Sequence, residues 1–250
     1  MTYQHDFAAY LFDLDGVLTP TADLHMLAWS QLFNGYLQAR GLSPDYTEQD
    51  YFDYVDGKPR YDGVRSFLAA RGIELPDGDP SDDADRETVC GLGNRKNAVF
   101  SAIVENEGVD PYPGSVKFLD ALARTGTQVA VVSSSRNAPA VLAAAGLSDR
   151  FEVVVDGQVA ATKGLPGKPA PDTYEYAASL LGVPVSAAVV VEDALSGVAS
   201  GKAGRFGLVI GVDRGAGADA LRDAGADVVV ADLGELTDDS YNVRLPKDPS

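Results

Sequence analysis

A chain of 250 residues, 45% hydrophobic and 23% charged, has the composition of one large globular domain or a domain with a smaller partner, not of a disordered or fibrous protein. Its 20 basic against 37 acidic residues leave a net charge of −17, which excludes a non-specific nucleic-acid or anionic-membrane binder and obliges any anion site to assemble its own positive charge. The single cysteine, Cys90, rules out an intramolecular disulfide, no apolar run reaches the roughly 18–20 residues of a membrane span, and no signal pattern opens the chain, so a cytoplasmic location is expected.

The first predicted strand, Ala8–Phe12, ends in Asp13-Leu14-Asp15-Gly16-Val17. Carboxylates at i and i+2, followed by a glycine that lets the chain turn, can both reach one reacting group where a strand opens into a loop. One can attack as a nucleophile while the other handles protons. An acidic strand exit without function is the competing reading of so short a pattern. From Thr21 to about Gly108 no strand is predicted. Leu24, Leu27, Ala28, Leu32, Phe33 and Tyr36 form one helical face before Gly41, Val64, Phe67 and Leu68 a second before Gly72, and Val99 and Ile103 a third before Gly108. The interval reads as an inserted helical domain. Within it, Pro76–Glu87 carries six acids against one arginine and reads as a solvated loop, not a metal site.

Helical spacing returns with Val116, Leu119 and Leu122, between Pro113, which suits a first turn, and Gly126, a stop. Strands follow at Gln128–Val132, Phe151–Val155, Ala187–Val191, Phe206–Val212 and Asp227–Ala231, with helical patterns at Asn137–Ala145 and Pro171–Leu181. The strand runs are continuously apolar, as strands buried on both faces are. Their alternation with helices predicts an α/β fold: a doubly wound, mainly parallel sheet covered by helices on both sides. There is no internal repeat. The tail from Thr237 to Ser250 either frays or folds back through Tyr241, Val243 and Leu245.

Three further groups close later strands or open the helices after them. Ser133-Ser134-Ser135-Arg136-Asn137 brings hydroxyls, a guanidinium and helix N-terminal amides together, a composition suited to phosphate, although a plain Ser/Asn helix cap has the same residues. Gly167-Lys168-Pro169-Ala170-Pro171-Asp172 holds a lysine in a proline-bracketed turn, which by itself is equally a solvent-facing lysine. Glu192-Asp193 ends the run Val189–Val191, where two acids are costly to desolvate unless paired or bound to a cation.

Taken in order, Asp-x-Asp-Gly-Val, a strand-end serine, Lys-Pro and Glu-Asp, with a helical insertion after the first motif, the chain resembles the haloacid dehalogenase superfamily across nearly its whole length. Within that superfamily it is most similar to the β-phosphoglucomutase branch, through His25, Gly57-Lys-Pro-Arg60, Asn94-Arg-Lys96-Asn97, Ser133–Asn137 and Lys168-Pro-Ala-Pro-Asp172. The resemblance implies a phosphotransfer core of residues 1–21 and 109–250 and a helical cap of residues 22–108. It also implies Mg²⁺-dependent phosphoryl transfer through an aspartyl-phosphate, with Asp13 as nucleophile and Asp15 as acid and base. Lys168 and Ser133 would stabilise the transferring group, and Asp13, Asp193, the Asp15 carbonyl and Glu192 would surround the metal. Arg60, Ser135, Arg136 and Asn137 would hold a second phosphate, and His25, Trp29, Lys96 and Asn97 would line the sugar side.

The implied partner is a small sugar phosphate, with no nucleic acid or membrane, and the implied state is a monomer. The implied reaction interconverts β-glucose 1-phosphate and glucose 6-phosphate. A sugar-phosphate phosphatase using the same aspartates with water, or a sugar-phosphate sensor without turnover, are the alternatives. Two positions depart from the branch: Asp56 falls where relatives carry a lysine, with Lys58 two residues on, and Pro20 replaces an acid.

Overall fold

The computed structural model describes residues 7–245, so His5 and residues 246–250 of the tail lie outside the described residues. Six strands, β1 (Ala9–Phe12), β2 (Gln128–Val132), β3 (Val153–Val155), β4 (Ala188–Glu192), β5 (Leu208–Val212) and β6 (Val228–Val230), each overlap a predicted run. They form one parallel sheet in the order β3-β2-β1-β4-β5-β6. The helices, in chain order, are α1 (Thr21–Gln38), α2 (Glu48–Tyr54), α3 (Arg60–Ala70), α4 (Val89–Glu107), α5 (Pro113–Thr125), α6 (Ala138–Ala144), α7 (Gly157–Lys163), α8 (Asp172–Leu180), α9 (Leu195–Ala203) and α10 (Ala218–Ala224).

The strands are apolar throughout because alternate residues enter two different cores. Tyr10, Phe12, Val189, Val191 and Ile210 join one face, packed by Phe118, Leu119 and Leu122 of α5 and Val141 and Leu142 of α6. Ala9, Leu11, Val132, Ala188 and Val190 join the other, packed by Tyr174, Ala177 and Ala178 of α8. Val198 of α9 and Leu221 of α10 close over Val209 beside it. The sheet is thus the doubly wound one expected. β1 lies between β2 and β4, so the winding reverses beside it, and the crevice beyond the carboxyl ends of these three strands is where such sheets receive ligands.

Helices α1–α4 fill the strandless interval and share an apolar cluster of their own, in which Phe33 lies 4.1 Å from Phe67 and 5.3 Å from Trp29, ring centre to ring centre. Ala28 and Phe100 reach instead into the core of the sheet. The short helix α2 carries no apolar repeat because it buries only Tyr51; a reciprocal cap between Thr47 and Asp50 starts it. α4 begins well before the predicted Val99 face, on a Thr88 cap, and Gly91 and Gly93, weak helix formers, hide its first turns.

The acidic segment 76–87 is a loop outside any helix or strand, and Asp77 and Asp82 pair with Arg65 at 2.7 Å and Arg86 at 3.0 Å. The tail folds back as far as described: Thr237 bridges to Val243, and Val243 and Leu245 pack on the first core. No helix among the described residues is long and apolar enough to cross a membrane.

Candidate active site

Strand register builds the floor of the site. Phe12 stands beside Val131 on one side and Val191 on the other, so Asp13, one residue on, emerges between Val132 and Glu192. Lys168, from the turn before α8, joins those three residues. Its Nζ donates to Asp13 Oδ1 and Glu192 Oε1, each at 2.5 Å, and to the Val132 carbonyl at 3.1 Å. Burial opposes its charge, but Asp13 and Glu192 outweigh that and hold its pKa above the usual lysine range. Glu192, fully buried, is satisfied at both oxygens. Oε1 also accepts from the Tyr174 hydroxyl at 3.0 Å, and Oε2 from the N–H groups of Asp193 and Ala194, both at 3.1 Å. Four donors offset the cost of burying that carboxyl group.

Carboxylate oxygens of Asp13, Glu192 and Asp193 all lie within 4.8 Å of one another. Burial pushes the Asp13 carboxyl well up, with Lys168 pulling against it. Asp193 is pushed up by burial and by its neighbours Asp56 and Glu192. Three buried carboxylates facing one lysine are short of positive charge, and an all-oxygen donor set suits a small, hard divalent cation. Gly16 makes the cluster possible: its φ is +86°, and a Cβ there would stand 1.8 Å from Asp193 Oδ2.

Asp15 faces a different environment. Its Oδ1 accepts from the Thr21 hydroxyl at 2.5 Å and lies 3.4 Å from His25 Nε2, while Ser133 Oγ donates to Oδ2 at 3.4 Å. Burial works against ionisation of Asp15, yet His25 and the Thr21 hydroxyl prevail and bring its pKa down to about 2. His25 stacks on Phe100 with ring centres 3.9 Å apart, and its Nδ1 contacts Lys96 Nζ. Lys96 is itself buried, with its ammonium 5.0 Å from the Trp29 ring centre and 4.8 Å from that of Phe100. Burial and the Lys96 charge lower the His25 pKa, and burial and Arg60 push that of Lys96 well down. His25 is thus held between Lys96 Nζ at Nδ1 and the Asp15 carboxylate at Nε2.

Opposite the carboxylates, Arg60 Nη2 and Asn137 Nδ2 both donate to Asn97 Oδ1 at 2.6 Å, and Arg60 Nη1 reaches Asn94 Oδ1 at 3.3 Å. Ser133 Oγ accepts from the Ser135 N–H and Ser135 Oγ from the Asn137 N–H, both at 3.1 Å, which fixes the strand-end loop. Arg136 lies with Cζ 5.5 Å from the Tyr61 ring centre. Among the described residues neither Arg60 nor Arg136 forms a salt bridge.

One cavity takes in Asp13, Asp15, His25, Trp29, Arg60, Lys96, Ser133, Ser135, Arg136, Asn137, Glu192 and Asp193. Of the other sequence-predicted residues, Lys168 lies beneath its floor, and Asn97 lies behind its wall, accepting from Arg60 and Asn137. Asp56 lines the same cavity; burial and Glu192 raise its pKa to about 6. Lys58 does not take over the position, since its Nζ is turned to Tyr54 O and Ser66 Oγ, both at 2.9 Å. Between them Gly57 has φ +68°, its carbonyl accepts from Ser134 Oγ at 2.8 Å, and a Cβ on it would meet Ser196 Oγ at 2.2 Å. Thr21, Tyr174, Ser134 and Tyr51 also serve the site. Ser134 belongs to the run already singled out after β2, and Thr21 sits on the first turn of a helix after Asp-x-Asp; Tyr174 and Tyr51 are ordinary helix residues in sequence.

A family model described as haloacid dehalogenase-like hydrolase matches residues 7–205. A beta-phosphoglucomutase of Mycobacterium bovis is 51% identical over 237 residues, covering 91% of this chain and 90% of its own length. A beta-phosphoglucomutase of Bacillus subtilis is 32% identical over 231 residues, covering 92% and 91%. Among solved structures, a beta-phosphoglucomutase from Clostridium difficile matches with a TM-score of 0.74 at 24% identity over 94% of this chain and 95% of its own, a likeness of fold.

Proposed function

We infer that this chain, which belongs to the haloacid dehalogenase-like hydrolase family, is a phosphotransferase with the reaction of a β-phosphoglucomutase, interconverting β-glucose 1-phosphate and glucose 6-phosphate. The observation that carries this reading is the separation of two aspartates only two residues apart. Asp13 is bound to Lys168 within the carboxylate cluster, whereas Asp15 is held by Thr21 and His25, and two arginines without acidic partners lie across the cavity. A nucleophile, a proton carrier and a second anion site are what transfer between two positions of one sugar requires.

Residues 1–21 and 109–250 act as the phosphotransfer core and residues 22–108 as a cap over it. Asp13, Asp193 and the Asp15 carbonyl would hold Mg²⁺, with Glu192 behind them because both its oxygens are already engaged. When bound, it offsets the negative charge of the phosphoryl group.

Asp15, ionised at rest, takes the proton of the sugar O6 hydroxyl as that oxygen attacks the phosphorus of phosphorylated Asp13 and the aspartyl P–O bond breaks. The resulting bisphosphate turns over. Asp13 then attacks the C1 phosphorus, the P–O1 bond breaks, and Asp15 returns its proton to O1, releasing glucose 6-phosphate and restoring the phosphoenzyme. Lys168 and Ser133 supply fixed donors to the transferring oxygens. Arg60, Arg136, Ser135 and Asn137 hold the phosphate that stays, and His25, Trp29, Lys96 and Asn97 line the sugar.

The test uses purified protein, Mg²⁺, β-glucose 1-phosphate and a trace of glucose 1,6-bisphosphate, following glucose 6-phosphate and free phosphate separately. Isomerisation without phosphate release is expected, and Asp13→Asn abolishes it. Phosphate release alone reassigns the chain to hydrolysis, and no turnover on a panel of phosphate esters reassigns it to sensing.

A further inference from the structure

Asp56 brings a carboxylate of the cap segment to the carboxylates of the core. It lines the cavity that holds Asp13, Glu192 and Asp193, and with Asp193 it also lines a second cavity of about 110 Å³ on the other side, bounded by Asp23, Tyr112 and Arg214. Asp56 and Asp193 are thus a shared wall between two spaces, one carboxylate from each side of the seam. No lysine or arginine forms a salt bridge with Asp56 among the described residues, and Lys58, two residues on, is turned to Tyr54 and Ser66. Arg214 lines the second cavity too: it donates to the Gly16 and Ala231 carbonyls at 2.9 and 3.0 Å, stacks on Tyr112, and its Nη2 lies 3.7 Å from Asp232.

The backbone around Asp56 gives it little room to retreat while the seam is closed. Ser196 Oγ donates to the Asp56 carbonyl at 3.4 Å and Ser134 Oγ to that of Gly57 at 2.8 Å. Pro59 sits where a Cβ on Gly167 would come within 2.6 Å of it, next to Lys168. Segment 56–59 is therefore pinned to the loops that follow β2 and β4 and to the turn bearing Lys168. When these contacts form, the carboxylate is carried in beside Asp193.

We propose that Asp56 is a positioning residue that makes closure of the cap over the sheet depend on the cation. With only Lys168 to offset Asp13, Glu192 and Asp193, an approaching Asp56 is repelled. A divalent cation among those carboxylates cancels that excess of negative charge and removes the repulsion, so cation binding favours closure and, by linkage, closure favours cation binding. The inference rests on the reading of Asp13 and Asp193 as cation ligands, and it concerns the cap, not the chemistry.

Spin labels on Ala69→Cys in α3 and Thr162→Cys in α7, both exposed, report the seam, and the buried Cys90 stays unlabelled. Mg²⁺ alone is titrated into the full chain, with interlabel distances read by pulsed electron resonance and binding by calorimetry. The expected result is that Mg²⁺ raises the ratio of closed to open molecules by about fivefold or more, that Asp56→Asn reduces this effect to below about twofold while weakening Mg²⁺ by about fivefold, and that Asp56→Glu restores both. Mg²⁺ binding that leaves the distances unchanged in the labelled protein with native Asp56 overturns the coupling and leaves the cation reading standing. Absence of Mg²⁺ binding overturns both. An Asp56→Asn protein with the full Mg²⁺ response overturns the assignment to Asp56.

Discussion

Lys168→Met is the most demanding test of the site's electrostatics. Methionine keeps the aliphatic stem and removes an ammonium that donates to Asp13, Glu192 and Val132 in a place where its side chain is 2% exposed. Glu192 retains three donors, from Tyr174 and the N–H groups of Asp193 and Ala194, but Asp13 loses its charge partner. Stripping one partner from a buried ion pair costs about 3–5 kcal/mol, against a total stability of roughly 5–15 kcal/mol for a folded chain. At about 2–4 °C per kcal/mol for a protein of this size, Tm falls by roughly 6–20 °C.

The sign with pH follows from the same pair. In the native protein Lys168 titrates above its unfolded value, so its contribution is complete below the ordinary lysine pKa and is lost only as pH rises beyond it. In the variant the stranded Asp13, already pushed upward by burial, binds a proton more readily folded than unfolded, so stability falls as pH rises from the ordinary aspartate pKa through its raised native one. The gap between the two proteins therefore widens from pH 5 to pH 8. Urea and thermal unfolding in a chelating buffer measure it, and Glu192→Gln on the Lys168→Met background recovers part of the loss. A loss below about 1 kcal/mol, or a gap that narrows with pH, refutes the claim that this lysine compensates two buried carboxylates.

Arg60→Ala lowers mutase kcat/KM by roughly 10–150-fold, as expected for lost hydrogen bonds to a charged group, but changes cleavage of p-nitrophenyl phosphate little; equal losses on both substrates contradict a second-phosphate role. Glucose 6-phosphate binding survives chelation of Mg²⁺ because the arginine side needs no cation, whereas turnover does not, and calorimetry that finds no binding in chelator disproves the division. His25 titrates by NMR below the ordinary 6.5 or so, so its share of stability is lost as pH falls below that value, a loss absent in His25→Gln; a native pKa above it contradicts the control of this imidazole by burial and Lys96. Tyr174→Phe removes a donor to Glu192 and costs about 1.5–3 kcal/mol in urea unfolding, and a change below about 0.5 kcal/mol contradicts a role in holding that carboxylate.

What was legible in the sequence follows from what each signal depends on. Val189–Val191 announced a buried strand because both its faces meet apolar neighbours, and that pattern is local. α7 has no fully buried residue and α2 only one, so neither left an apolar repeat to find. The order of motifs along the chain was enough to group Asp13, Ser133, Lys168 and Glu192, since each ends a strand or opens the following helix. The partners of those residues were not legible. Glu192 reads as a ligand by position, but the Tyr174 hydroxyl and two N–H groups that occupy it come together only through strand register and the packing of α8. The Asp56–Lys58 pair was ambiguous for a similar reason: which of two side chains two residues apart enters the cavity depends on the left-handed turn at Gly57 and its contact with Ser196.

The charges of the cavity are sorted by position, and that sorting has a mechanical consequence. Asp13, Asp56, Glu192 and Asp193 gather at the end of the sheet around a single lysine, while Arg60 and Arg136 stand across the cavity without acids. A molecule with two phosphates meets two unlike ends: one attracts an anion unaided, the other does so only once its own excess of negative charge is offset. The arginine end can hold the molecule while the carboxylate end exchanges partners. The Asp15 carboxylate lies between, kept ionised by Thr21 and His25, which suits the proton transfer proposed for it. In a chain of net charge −17, the acids at this one place are not surplus surface charge, because Asp13 and Glu192 are buried and gathered around Lys168.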